Sequence, residues 1–77
     1  MRFSKQYMID KCLGLLESTQ QKFAFDVNRG RDEISGSMKN GDFERVMAFG
    51  RCEMLLNIVE HLESNKFANN NKSSLHF

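Results

Sequence analysis

Asp42-Phe43-Glu44-Arg45-Val46-Met47-Ala48-Phe49-Gly50-Arg51-Cys52-Glu53-Met54-Leu55-Leu56-Asn57-Ile58-Val59-Glu60-His61-Leu62-Glu63 is the longest stretch of good helix formers in the chain. It contains no proline and one glycine, so it predicts a helix of about six turns, extending over 42–65. Its apolar residues occupy more than one stripe. Phe43, Met47, Gly50, Met54, Ile58 and Leu62 form one row, and Ala48, Cys52, Leu55, Val59 and Leu62 form a second. Val46, Phe49 and Leu56 widen the apolar arc. Glu53, Asn57, Glu60 and Ser64 are left as a polar ridge, with Arg45 and Arg51 at its margins. A helix apolar over so much of its circumference is buried by more than one neighbour.

Upstream, Ser4 is placed to cap a first helix. Ile9, Leu13, Leu16, Gln20, Phe23, Val27, Gly30 and Ile34 then recur at steps of three and four, a heptad-like seam over 4–34. Gly14 either weakens this helix or allows a close crossing. Arg29 and Arg31 alternate with Asp26, Asp32 and Glu33, which makes this region a self-compensated solvated patch. Ser35 to Gly41 reads as a turn by composition, with Asn40 or Asp42 capping the helix that follows. Beyond Glu63 the pattern stops, and the asparagine- and serine-rich 67–77 reads as a disordered tail.

The expected fold class is therefore all-α: one domain over 1–66, an antiparallel helical hairpin. A single hairpin would still expose some combination of Phe49, Leu55, Leu56 and Val59 on its second helix, and Met8, Leu15 or Phe25 on its first. Monomers rarely leave such patches open, so the hairpin is expected to close into a homo-oligomeric helix bundle, a dimer or higher.

The totals narrow the function. Eleven basic and ten acidic residues, spread along the 77, give no field that favours DNA or membrane. Asp10 and Lys11 interrupt any signal-type apolar run, and the chain reads as cytoplasmic. Cys12 and Cys52 fall in apolar rows, too far apart in a hairpin to bridge, and read as reduced core thiols. His61 is nine residues from Cys52, out of reach as its activating base. Two histidines and two cysteines at these spacings make no metal set, and no cofactor is expected. No catalytic arrangement emerges, and the reading is of a non-enzyme. Recognition remains. Tyr7 offers a ring for stacking, Lys22 stands beside Phe23, and Arg51 flanks the apolar face of the second helix.

Arg45-Val46-Met47-Ala48-Phe49-Gly50-Arg51-Cys52-Glu53-Met54 resembles the second-helix signature of the anti-CBASS sponge family of phages. In that signature an arginine and two apolar residues precede an alanine, an apolar and a small residue, a base, a small residue, an acid and an apolar residue. Tyr7 and Lys22 also match the family's spacing of an N-terminal tyrosine and a lysine fifteen residues later. Between them the apolar positions fall in a different register from the family's.

The resemblance implies a small helical phage protein that assembles into compact oligomers inside a bacterial host. Such a protein sequesters a cyclic di- or trinucleotide defence signal without cleaving it. Tyr7 would stack on a base, Lys22 would meet phosphate, and Arg51 would assist. The alternative is an inhibitor or adaptor that caps a host protein with its apolar helix face.

Overall fold

The computed structural model describes residues 4–64. Among these residues it is all-α: α1 spans Lys5–Phe23, α2 spans Ser35–Asn40 and α3 spans Phe43–Glu63, with 3-10 turns at Val27–Arg29 and Arg31–Ile34. The tail expected over 67–77 lies outside the described residues.

α1 starts where the sequence places it. The Ser4 hydroxyl accepts the Tyr7 amide proton at 3.0 Å, satisfying one of the four amides that open a helix without partners. Its end is different. The single helix expected over 4–34 stops at Phe23, because Ala24 adopts the left-handed conformation at φ 57°. The amides of Ala24 and Phe25 both turn back to the Gln20 carbonyl. Gln20 then holds the reversal with its side chain. Its Oε1 accepts from the Val27 amide at 2.7 Å while its Nε2 donates to the Leu16 carbonyl at 3.2 Å. Asp26 caps the first 3-10 turn by accepting from the Asn28 amide. The charged stretch behaves as the sequence suggests, with Arg29 facing Asp26 and Glu33 on the surface.

The turn expected over 35–41 is also replaced. Ser35–Asn40 is helical, and Gly41 at φ 77° closes it in the region that glycine enters without steric cost. Asp42 caps α3 by accepting the Arg45 amide proton at 3.3 Å. α3 then runs almost as far as expected and ends at Glu63, with Ser64 as its C-cap.

α1 and α3 are the main packing pair, antiparallel, with the C-terminal end of α1 at the first turns of α3. The core draws on three sources. α1 contributes Ile9 and Leu16, the irregular segment contributes Phe25, Val27 and Ile34, and α3 contributes Ala48, Phe49, Cys52 and Val59. The Phe25 and Phe49 rings meet at 5.1 Å, tilted by 55°, a favourable aromatic geometry. Thus α3 does have more than one neighbour, but the second is residues 24–34 of the same chain. Phe49 and Val59, two of the side chains expected to await a partner copy, are 1% and 4% exposed. Phe25, expected on the outside of the first helix, is buried as well. Leu15 is exposed, as expected.

Candidate functional site

The arginine that opens the run Arg45–Met54 works inside the fold. Arg45 Nε donates to the Phe23 carbonyl at 2.7 Å and its Nη2 to the Ala24 carbonyl at 2.8 Å. Its Nη1 donates to the Glu33 carbonyl at 3.2 Å and to the Ser37 hydroxyl at 2.8 Å. The guanidinium carbon lies 5.8 Å from the centre of the Phe25 ring. One planar fork thus satisfies carbonyls at the end of α1 and ties the second 3-10 turn and α2 to α3. The rigid, always-charged donor geometry of arginine suits that task. Arg31 adds a surface link, its Nε 3.3 Å from Glu53 Oε2.

The three residues singled out for binding are exposed. Tyr7 stands on the first turns of α1, and Lys11 Nζ lies 5.5 Å from the centre of its ring. Lys22 is in the last turn of α1, its Nζ 5.4 Å from the Phe23 ring. Arg51 sits midway along α3, on the outer surface. α1 is unbroken between Tyr7 and Lys22. Fifteen residues at 1.5 Å each place them about 22 Å apart, roughly 60° apart around the helix and so on the same side. One chain does not bring them together on one small ligand.

An open groove lies elsewhere, between Leu13, Leu16 and Gln20 of α1, Phe25 and Val27 of the irregular segment, and Leu56 of α3. Glu17 and Asp26 stand at its rim, and their negative charge opposes a phosphate there. None of Tyr7, Lys22 and Arg51 lines it.

The feature that sequence reasoning left undecided is on the outside of α3. Phe43, Met47, Met54 and Ile58 are 70%, 57%, 57% and 41% exposed. The first apolar row therefore faces outward, while Ala48 and Cys52 of the second row are fully buried. Both rows are apolar, so periodicity alone does not choose between them. The small side chains of Ala48 and Cys52 were the available signal, since they let α3 approach its neighbours closely. A shallow hollow formed by Met54, Asn57, Ile58, His61 and Leu62 continues the outer row toward the end of the helix.

Both cysteines are free thiols. Burial pushes the Cys52 thiol up, opposed in smaller measure by the neighbouring Arg51 charge, so it stays neutral and a poor nucleophile. Among the described residues, no group of three or more His, Cys, Asp and Glu could hold a metal ion. No described helix is long and apolar enough to cross a membrane. Comparisons of the chain with protein-family models, curated proteins and solved structures find no match in any of the three.

Proposed function

We propose that this chain is a non-enzymatic binding protein that works as an assembly of its own copies and sequesters a cyclic oligonucleotide between them. In that reading it is a phage-type counter-defence protein acting in the cytoplasm of a bacterial host. The observation that carries the geometry is the unbroken α1. Tyr7 and Lys22 are exposed on one side of a single helix, about 22 Å apart, beyond the reach of one cyclic dinucleotide. A ligand touching both takes its tyrosine from one chain and its lysine from another. Tyr7 supplies a stacking face, Lys22 a phosphate partner and Arg51 a further positive charge. The ligand class itself comes from the resemblance of Tyr7, Lys22 and Arg45–Met54 to the sponge family.

A second reading has its own observation. The exposed row on α3 is the kind of surface with which a small helical protein caps another protein.

Thermal-shift and calorimetric titration with a panel of cyclic di- and trinucleotides separates the two, because a ligand bound only by the folded chain raises its melting temperature. Binding is expected for at least one member of the panel. Tyr7→Ala and Lys22→Ala are each expected to abolish it without unfolding the protein. Mixing the two inactive variants should restore part of the binding, since a hybrid interface holds one intact tyrosine and one intact lysine. Full binding by both single variants would discard these residues as the site. No binding to any member would leave the protein-capping reading.

A further inference from the structure

We infer that the outer row of α3 is the contact by which two copies of this chain pair, antiparallel, about a two-fold axis passing between Gly50 and Arg51. The inference concerns assembly alone, whatever the ligand: α1, with Tyr7 and Lys22, packs on the opposite face of α3, so a nucleotide site shared between two chains needs a further contact between α1 helices.

The row lies on the face of α3 opposite the core, and nothing among the described residues covers it. Its spacing is self-complementary. The midpoint between Phe43 and Ile58 coincides with the midpoint between Met47 and Met54, and both fall between Gly50 and Arg51. An antiparallel copy centred there sets Phe43 against the partner's Ile58 and Met47 against the partner's Met54. A two-fold contact requires this, each residue meeting a counterpart that meets it in return.

The centre of the row is the one position that permits close approach. Gly50 has no side chain, and a Cβ built on it meets nothing within 4 Å. Two helices can therefore cross there at short distance, flanked by the flexible methionines that fill irregular gaps.

Area and charge agree with this occupant. The four exposed side chains offer on the order of 400 Å² of apolar surface per chain. Doubled by pairing and widened by the flanks, the contact reaches roughly 1,000 Å², the lower end for a specific interface. Glu44 and Arg51 lie on the same flank of the row, two turns apart. In the antiparallel pair each Arg51 lies about 9 Å along the helix from the partner's Glu44, within the joint reach of the two side chains. The antiparallel direction also opposes the two helix dipoles favourably.

The test combines mass, substitution and cross-linking. Light scattering at micromolar concentration should give at least twice the 9.0 kDa chain mass. Met54→Asp should return the monomer with an unchanged helical circular dichroism spectrum, since the residue is outside the core. Gly50→Leu should fold and yet lower dimer affinity at least about tenfold by wedging the helices apart. In a Cys12→Ala background, mixing Met47→Cys chains with Met54→Cys chains should give a disulfide-linked pair, while neither variant alone links to itself. A monomeric wild type, a dimer indifferent to both Met54→Asp and Gly50→Leu, or self-linking of Met47→Cys alone would each overturn the inference. A dimer of this kind that binds no cyclic nucleotide would sink the ligand reading and leave the interface standing. Nucleotide binding by an oligomer indifferent to both substitutions would do the reverse.

Discussion

Arg45 has the most concentrated role of any single residue described. Its donors reach the carbonyls of Phe23, Ala24 and Glu33 and the hydroxyl of Ser37. Removing the fork strands the part-buried Phe23 and Glu33 carbonyls and the Ser37 hydroxyl, while the Ala24 carbonyl stays open to water. Arg45→Ala should therefore cost about 3 kcal/mol, the scale of losing charged hydrogen bonds while leaving their partners unmet. Arg45→Lys keeps the charge but cannot span three carbonyls, and should recover less than half of that loss. Urea denaturation of the two variants against wild type measures both. From sequence, Arg45 and Arg51 look alike, two cations beside an apolar face. The difference between them is tertiary, because only Arg45 lies at the level where α1 ends.

Among elements, the break after Phe23 is where sequence and structure part. Val27 and Ile34 continue the seam of Ile9, Leu13 and Leu16 and are buried as that seam requires, but Leu13 itself is exposed and Phe25, outside the seam, is buried. The pattern reports most of the side chains that leave water, and it does not report the path the backbone takes between them. A reversal at Ala24 buries Val27 and Ile34 as a continuing helix would, and adds Phe25, which that helix would leave outside. The informative signs were polar: Gln20 inside the seam, and Asp26 two residues before Asn28. Each of these side chains binds a backbone amide of the turn. The all-α class, the start of α1, the caps at Ser4 and Asp42 and nearly all of α3 were legible, because caps and propensity act locally. Of the site, the outward-facing row of α3 was only one of two equal choices. The reversal carries a measurable cost. Ala24 holds a conformation that glycine enters freely, so Ala24→Gly should stabilise the fold by about 1 kcal/mol. In a domain of this size that raises the melting temperature by about 4–8 °C in a calorimetric scan.

For the whole molecule, the division of α3 into an inner and an outer apolar face ties stability to concentration. If the outer row pairs two chains, dilution exposes it, and the melting temperature should climb with protein concentration. The Met54→Asp chain should melt at one temperature across the same dilution series, which a scanning fluorimeter can follow. The Arg45 clasp has a different consequence, for the way the chain opens. By gripping the Phe23 carbonyl it closes, with a single side chain, a loop whose ends are 22 positions apart in sequence. Closing a loop of that length costs about 3 kcal/mol of chain entropy, recovered only when both ends are already held by the α1–α3 packing. Residues 24–42, short turns with little regular structure of their own, are then no looser than the long helices. Their protected amides should exchange with solvent at the rate of global unfolding, and the protein should come apart as one cooperative unit.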